Sequence, residues 1–273
     1  PTCMAFAMKV AQGALEISKC PHMSEEALAE LSEATAPPMK TIKVGTGEGE
    51  YTLGGETVLF RHEKTFVSKT RYAVAICTDM DDAAVDAKIA ELQKVDYERI
   101  GERMHVEMVY VNYQDGADKD RYVEMVKKAA ATGKTLILGC KDAEVAKAAL
   151  EVCKDGKPVL NGATAANYAA MNDLAKEAGV VLGVSGADLN EIYDTVAALE
   201  KAGNKNLVID ATGASVKEAY ANAVQIRRAA LKDQDRTFGY PTIVNTAAIA
   251  RGDRNLQQAL ASLFTVKYGS IVV

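Results

Sequence analysis

The sequence lacks the features that mark nucleic-acid-binding, membrane and exported proteins. Acidic residues outnumber basic ones by 37 to 32, giving a net charge of -5, whereas a surface that binds phosphate backbones requires a basic stripe. No apolar run reaches the length of about 18 residues that a membrane span requires. No charged segment followed by an apolar one resembles a secretory signal. We therefore expect no nucleic-acid partner and no membrane span.

Cysteine and histidine are also scarce. The five cysteines are not separated by the short loops of a disulfide framework, which indicates a reducing, cytoplasmic setting. None of the three histidines, His22, His62 and His105, lies at the end of a predicted strand, so a zinc site or a histidine acid–base pair has little support. The Gly-x-Ser-x-Gly, His-Glu-x-x-His and P-loop motifs are absent from the sequence.

What the sequence does contain is a repeated unit of buried strand and amphipathic helix. Residues 206–213 (NLVIDATG) show it best, because three apolar residues are followed by a polar tip. The repetition predicts eight strands, at residues 72–77, 107–112, 135–139, 158–161, 180–184, 207–210, 241–245 and 270–273. Four glycines at regular intervals are predicted to end helices in the left-handed conformation: Gly133, Gly156, Gly179 and Gly203.

Strands that alternate with helices predict a parallel sheet, because each crossover helix returns the chain in the same direction. Eight strands and seven helices fit a (β/α)8 TIM barrel of the α/β class over residues 72–273, without an eighth helix. An open, doubly wound sheet would instead place a glycine-rich phosphate loop after the first strand. Residues 78–82 (TDMDD) are acidic there. The sequence therefore favours the barrel.

Two shorter segments precede the predicted barrel. Residues 1–38 are predicted to be helical, with one helix ending at Gly13 and a second that begins at Ser24 and ends before Pro37. Residues 39–71 are predicted to be a β-rich connector, with residues 57–60 (TVLF) as one of its strands. The glycines at 45–55 predict that this connector is mobile. The first residue is Pro1 rather than methionine, so we expect a translated segment upstream of it.

Polar residues follow most of the predicted strands, where the functional face of a barrel lies. They are Asp79, Asn112, Cys140, Lys141, Asn161, Ser185, Asp210, Thr212, Asn245 and Thr246. A ring of amides and carboxylates suits a neutral, heteroatom-rich ligand such as a pterin. For Asp79, Asn161 and Ser185 we favour simple capping of the next helix. For Asn112, Asp210 and Asn245 capping and ligand binding are equally plausible, and Lys141 is expected to be solvated rather than a Schiff-base lysine.

Cys3 and Cys20 are separated by 16 residues, and Cys20 is followed by Pro21. A proline in that position often accompanies an iron–sulfur ligand, but a cubane cluster requires four thiolates. Taken alone, the two residues favour reduced free cysteines. Cys77, Cys140 and Cys153 have apolar neighbours and are predicted to be buried structural residues.

Several segments resemble the large (gamma) subunit of the corrinoid iron–sulfur protein in the carbon monoxide dehydrogenase/acetyl-CoA synthase system. They are residues 1–9 (PTCMAFAMK), Cys20 with Pro21, residues 31–34 (LSEA) with the prolines that follow, and above all residues 54–66 (GGETVLFRHEKTF). Cys3 and Cys20 match the third and fourth positions of that family's motif Cys-x2-Cys-x4-Cys-x16-Cys. The resemblance implies that two further cluster cysteines lie upstream of Pro1 and a corrinoid-binding domain lies beyond Val273.

The resemblance also implies a function. The family's protein accepts a methyl group from a methyl-tetrahydropterin on a cobalamin-type corrinoid and passes it to acetyl-CoA synthase. Its [4Fe-4S] cluster, here with Cys3 and Cys20 as ligands, reduces the cobalt when it is oxidised. The implied partners are a second, small TIM-barrel subunit, a methyltetrahydropterin methyltransferase and acetyl-CoA synthase, with the barrel as a scaffold. The alternative is an autonomous pterin-binding TIM-barrel methyltransferase that uses Asn112, Asp210 and Asn245.

Overall fold

A computed structural model describes residues 2–11, 15, 17–28, 38–63 and 67–273, which belong to two compact units, residues 1–37 and 38–273. In the first unit, helix α1 spans Cys3–Ala11, a 3-10 turn spans Ile17–Lys19 and residues 25–28 are helical. The predicted end of the first helix at Gly13 and the predicted end of the second before Pro37 lie outside the described residues.

The second unit contains the twelve strands of the described residues. They are β1 (Thr41–Val44), β2 (Tyr51–Gly54), β3 (Arg71–Cys77), β4 (Asp96–Arg99), β5 (Glu102–His105), β6 (Met108–Asn112), β7 (Thr135–Gly139), β8 (Val159–Ala163), β9 (Val181–Val184), β10 (Leu207–Asp210), β11 (Thr242–Val244) and β12 (Ile271–Val272). Eight of them close into a parallel barrel in the order β10-β11-β12-β3-β6-β7-β8-β9. The predicted TIM barrel is confirmed, and the ends of its strands differ from prediction by two residues at most.

Helices fill the crossovers between the barrel strands. They are α2 (Asp82–Lys94), α3 (Lys119–Ala130), α4 (Ala143–Cys153), α5 (Tyr168–Ala178), α6 (Leu189–Lys201), α7 (Val216–Lys232), α8 (Thr246–Ala250) and α9 (Arg254–Val266). Most begin at a side chain that accepts hydrogen bonds from the first backbone N–H groups: Asp81, Asp118, Asp142, Asp188, Ser215, Asn245 and Asp253. Among the described residues, no helix has the length and apolar character needed to cross a membrane.

The predicted glycine caps are confirmed at three of four positions. Gly133, Gly179 and Gly203 have φ of 70°, 62° and 80°, the left-handed conformation that glycine adopts at little steric cost. The prediction for Gly156 is wrong. There the chain adds a 3-10 turn, Lys154–Gly156, and the left-handed residue is Lys157, with φ of 47°.

Strands β1 and β2 form an antiparallel hairpin whose inward side chains belong to the core of the barrel. Ile42, Val44, Tyr51 and Leu53 alternate with more exposed residues, and all four pack in the same hydrophobic cluster as the barrel strands. The hairpin is therefore packed as part of the barrel unit, and this packing argues against the mobility that its glycines predict, which stays a prediction for experiment.

Hydrogen bonds place the hairpin at the N-terminal end of the barrel. The Gly45 N–H donates to the carbonyl of Lys157, just before β8, at 3.0 Å. The hydroxyl of Thr135, the first residue of β7, donates to the carbonyl of Gly49 at 2.6 Å. The hairpin thus covers the end of the barrel opposite to the mouth that the sequence analysis singled out.

Residues 57–60 are not a strand, contrary to prediction. The carbonyl of Val58 accepts a hydrogen bond from the guanidinium of the buried Arg227 at 3.3 Å, so this backbone binds a side chain of α7 instead of a neighbouring strand. The hairpin β4–β5, at residues 96–105, was not predicted. It is mostly exposed, and Asp96 and Arg103 form an ion pair across it at 2.5 Å.

Candidate functional site

The C-terminal ends of strands β6 to β10 surround a cavity of about 410 Å³. The strand register aligns three of its lining residues, because Asn112, Gly139 and Asn161 are successive partners on neighbouring strands. Cys77 and Gly183 continue the same level on the strands to either side. Residues at the same level of parallel strands face the same mouth, so the sheet assembles these groups from separate parts of the chain. We call this cavity the barrel mouth.

A hydrogen-bonded network lies in the barrel mouth. The amide nitrogen of Asn161 donates to the carboxylate of Asp210 at 2.8 Å and to the phenol oxygen of Tyr110 at 3.3 Å. Asn161 is only 3% exposed. The amide oxygen has no hydrogen-bond partner among the described residues, and turning the amide would set this oxygen against the carboxylate. The network therefore fixes the orientation of Asn161.

Two glycines make room for these polar side chains. A Cβ atom on Gly139 would lie 2.5 Å from the Tyr110 hydroxyl oxygen, and one on Gly183 would lie 2.2 Å from the Asn161 amide oxygen. Both distances are far shorter than van der Waals contact. The barrel therefore accommodates Tyr110 and Asn161 only because the neighbouring strands carry no side chain at these points.

Tyr110 was missed by the sequence analysis. Burial raises the pKa of its phenol well above the usual value, the Asp210 carboxylate raises it further, and hydrogen bonds with Asn161 and Asn245 act in the opposite direction. The group therefore stays neutral at physiological pH. The sequence could have indicated Tyr110, because it lies two residues before Asn112 in β6. Residues two apart in a strand have their side chains on the same face.

Asp210 and Asn245 are connected through Thr212. The backbone N–H and the hydroxyl of Thr212 both donate to one carboxylate oxygen of Asp210, the first at 3.0 Å. The Asn245 N–H donates to the Thr212 hydroxyl at 2.9 Å. The Asn245 side chain accepts from Ala248 at 2.9 Å and caps α8. Of the three residues for which capping and ligand binding were equally plausible, Asn112 and Asp210 line the mouth, whereas Asn245 caps α8 and also hydrogen-bonds Tyr110.

The capping roles predicted for Asp79, Asn161 and Ser185 are wrong. Helix α2 is capped by Asp81 and helix α6 by Asp188, each a few residues after the strand end. Asp79 is exposed, Asn161 lies within β8, and the buried hydroxyl of Ser185 has no partner among the described residues. The loops are long enough for other residues to cap the helices. The residues at the strand ends therefore do not serve as caps.

The described residues of the barrel mouth include no activated nucleophile. Burial raises the pKa of the Cys140 thiol to about 12, so the reactive thiolate is scarce at neutral pH. The thiol donates to the carbonyl of Asp142 at 3.3 Å. Lys141 lies at the rim and is exposed. Asn112 donates to the Cys77 sulfur at 3.2 Å. The described lining residues therefore favour binding of a ligand by hydrogen bonds over covalent chemistry.

The two N-terminal cysteines lie in the first unit. Cys3 is the first residue of α1 and is exposed, whereas Cys20 directly follows the 3-10 turn at Ile17–Lys19 and is partly exposed. The Cys20 N–H donates to the carbonyl of Ile17 at 3.1 Å. Among the described residues, no three potential ligands (His, Cys, Asp or Glu) lie close enough to hold a metal ion.

The comparison with family models decides where the chain belongs. The family described as CO dehydrogenase/acetyl-CoA synthase delta subunit matches residues 41–273. The chain belongs to this family. A second model, described as "Putative Fe-S cluster", matches residues 1–22, which contain Cys3 and Cys20.

Curated relatives of this CO dehydrogenase/acetyl-CoA synthase family member carry related names. The chain is 36% identical to the corrinoid/iron-sulfur protein large subunit of Moorella thermoacetica and covers 60% of it. It is 31% identical to the acetyl-CoA decarbonylase/synthase complex subunit gamma of Archaeoglobus fulgidus and covers 62% of that. Both alignments span 100% of this chain. The resemblance stated from the sequence is confirmed, and the chain spans about 60% of the length of these relatives.

Solved structures share the fold of this family member. Dihydropteroate synthase from Thermus thermophilus superposes with a TM-score of 0.55 at 17% identity, over 75% of this chain and 87% of the other. A phospho-2-dehydro-3-deoxyheptonate aldolase from Thermotoga maritima gives 0.56 at 12% identity, over 85% of this chain and 64% of the other. At these identities the likeness establishes the barrel fold alone.

Proposed function

We propose that the chain is the cluster-and-barrel part of a corrinoid iron–sulfur methyl carrier. The protein accepts a methyl group from a methyl-tetrahydropterin and delivers it to acetyl-CoA synthase. The single observation that carries this proposal is the 36% identity, over the whole of this chain, to the large subunit from Moorella thermoacetica, which is named a corrinoid/iron-sulfur protein. The chain spans 60% of the length of that relative, and in this proposal the corrinoid is bound outside residues 1–273.

Cys3 and Cys20 supply half of the ligands of a [4Fe-4S] cluster in this proposal. Both residues are at least partly exposed, neither is in a disulfide, and both lie in the segment that the iron–sulfur family model matches. Four thiolates are needed, so two ligands come from outside the described residues. The cluster supplies single electrons at low potential, which return an oxidised corrinoid to its methyl-accepting state.

The barrel serves as a platform for partners. It belongs to a family described for a delta subunit, whereas the matched relatives are large or gamma subunits. This supports pairing with a second, similar barrel subunit. A methyltetrahydropterin methyltransferase and acetyl-CoA synthase are the proposed partners in the methyl-transfer cycle, and the proposed location is the cytoplasm.

The alternative, an autonomous pterin-binding methyltransferase, has weaker support. Such an enzyme requires a group that activates the methyl donor or holds the acceptor. Among the described residues that line the mouth there is no histidine, and the Cys140 thiol is protonated at neutral pH. The amide oxygen of Asn245, one of the three residues on which the alternative depends, is already used to cap α8.

The electron-transfer role is tested by Cys20→Ser in the complete, corrinoid-loaded protein. After oxidation of the corrinoid, we expect recovery of methyl acceptance with a protein electron donor to slow by at least about tenfold, because the cluster lacks a thiolate ligand. Protein whose corrinoid has been reduced chemically should accept methyl groups at the unaltered rate. A merely structural role for Cys20 would slow both reactions together.

Cys153→Ala is the matched control. Cys153 is buried in α4, and its thiol donates to the carbonyl of Ala149 at 3.2 Å. Removing this thiol should leave both reactions unaffected. Reactivation of Cys20→Ser at the wild-type rate would contradict the proposal.

A further inference from the structure

The hairpin β4–β5 lies in the connection between α2 and β6, and every residue from 95 to 104 is exposed. Twelve large apolar side chains are exposed among the described residues, and four of them belong to this short segment: Val95, Tyr97, Ile100 and Met104. Single exposed apolar residues are ordinary on a protein surface, whereas several together mark a site of interaction. The hairpin is therefore a candidate interaction surface.

The strand register divides the side chains of the hairpin between two faces. Tyr97 lies opposite Met104, and Arg99 lies opposite Glu102. Residues that lie opposite each other have their side chains on one face, and so do residues two apart in a strand. These four side chains therefore share a face, which we call the arm face.

The other face of the hairpin is turned towards the barrel unit. Arg103 lies on that face and forms an ion pair with Asp96 at 2.5 Å. The Asp96 carboxylate raises the pKa of Arg103, and Glu48 and Tyr51 of the β1–β2 hairpin raise it further. Because such effects weaken with distance, Arg103 lies near that hairpin. The arm face, with Tyr97 and Met104, is therefore directed towards solvent, the reverse of the usual arrangement in a half-buried antiparallel sheet.

The tip of the hairpin carries an apolar residue that the turn itself does not favour. Ile100 is 94% exposed and has φ of 53°, and Gly101 follows with φ of 74°. Two-residue turns with both φ angles positive favour Asn-Gly, and a β-branched residue in this conformation is a rare exception. The fold therefore gives no reason for isoleucine at this position, whereas a contact with another molecule does.

The charges of the arm face are available to a partner. Arg99 has no ion-pair partner among the described residues. Glu102 pairs with Lys69 at 3.0 Å, but the two side chains are 64% and 65% exposed. An exposed pair of this kind contributes little to stability. Glu102 can therefore exchange Lys69 for another cation without loss to the fold.

The arm face is complementary to a second copy of itself. A two-fold axis that runs along two adjacent arms places β4 of one copy over β5 of the other. Tyr97 then meets Met104 of the second copy, and Arg99 meets its Glu102. Each contact occurs twice, as two-fold symmetry requires, and both the sulfur–aromatic and the opposite-charge contacts are favourable. An anionic membrane is disfavoured, since acidic residues outnumber basic ones in the hairpin.

We propose that the arm face joins two copies of this chain in a reversible dimer. The face consists of two strands of four residues each, which is less than the area of about 800 Å² per partner in a standard stable interface. We therefore expect a Kd of about 10–500 µM. The dimer depends on no iron, corrinoid or methyl group, so it stands independently of the proposed function.

Sedimentation equilibrium of the complete protein, between about 1 and 500 µM, tests the dimer. We expect the mass to rise with concentration from one copy towards two. Tyr97→Ser should weaken the association at least about tenfold, because it removes the aromatic side chain from both halves of the interface. A constant monomer mass over this range, or a Tyr97→Ser variant that associates as the wild type does, would overturn the proposal.

A charge-reversal pair identifies the partner as a second copy. Arg99→Glu and Glu102→Arg each set like charges against each other across the axis, so each variant alone should associate at least about tenfold more weakly. An equimolar mixture of the two should recover the wild-type association, because every glutamate then meets an arginine. Failure of the mixture to associate would refute the two-fold arrangement. Glu98→Arg, on the other face, is the matched control and should associate as the wild type does.

Discussion

Glu56→Gln is expected to lower the free energy of unfolding by about 3–5 kcal/mol, because it leaves a buried arginine without its counter-charge. The side chains of Arg227 and Glu56 are only 2% and 4% exposed, and their charged atoms are 3.8 Å apart. Burial lowers the pKa of the Arg227 guanidinium, and Glu56 acts in the opposite direction. Urea denaturation followed by far-UV circular dichroism measures the effect.

The matched control is Glu50→Gln. Glu50 and Lys43 approach more closely, at 2.7 Å, but their side chains are 45% and 67% exposed. An exposed pair contributes only about 0–1 kcal/mol, so burial rather than distance should decide the outcome. The double variant Glu56→Gln/Arg227→Met should recover much of the loss, since it removes the unpaired charge. A loss below about 1 kcal/mol in Glu56→Gln would contradict a structural role for the pair.

This ion pair also gives a physical reason for one motif of the resemblance. Glu56 lies in residues 54–66, and the Arg227 guanidinium also donates to the carbonyls of Val58 and Tyr268, both at 3.3 Å. Arg227 thus connects residues 56 and 58 of this segment to α7 and to Tyr268, which precedes β12. We therefore expect Glu56 and Val58 to contribute to the stability of the barrel unit.

Leu53→Ala is expected to lower the free energy of unfolding of the barrel unit by about 2–5 kcal/mol, the usual range for truncating a buried leucine. Leu53 is fully buried, and it belongs to the same hydrophobic cluster as the barrel strands. Its removal leaves a cavity between the hairpin β1–β2 and the barrel. Urea denaturation of the variant and the wild type gives the difference directly.

Thr52→Ala is the control for this substitution. Thr52 is the residue before Leu53 in β2, and its partly exposed side chain points to the opposite face of the hairpin. We expect it to change stability by less than about 0.5 kcal/mol. An equally small effect of Leu53→Ala would mean that the hairpin is a loosely attached linker, as its glycines predicted.

The barrel was predictable because its strands are buried on both faces. β7 and β10 have the boundaries that the sequence analysis gave, and each contains three consecutive apolar residues, at 136–138 and 207–209. Such a run between amphipathic helices is typical of a buried strand in a parallel sheet. The hairpin was partly predictable. Residues 41–44 (TIKV) alternate in polarity, but the glycines that follow concealed their packing.

The barrel mouth was harder to predict, because the direction of a strand residue depends on register. Asn161 looked like a helix cap, yet it lies within β8 and points into the mouth beside Asp210. The caps, Asp81 and Asp188 among them, follow the strand ends by loop lengths that the sequence does not specify. Arg227 was missed because its partner, Glu56, is far away in the chain.

The most direct test of the account is the iron and acid-labile sulfide content of the complete protein, purified without oxygen. We predict about four iron and four sulfide per chain, with near-complete loss in Cys3→Ser and in Cys20→Ser and no change in Cys153→Ala. A wild-type protein without iron and sulfide would contradict the proposed cluster. Full retention of both in the Cys3→Ser and Cys20→Ser variants would contradict the assignment of its ligands.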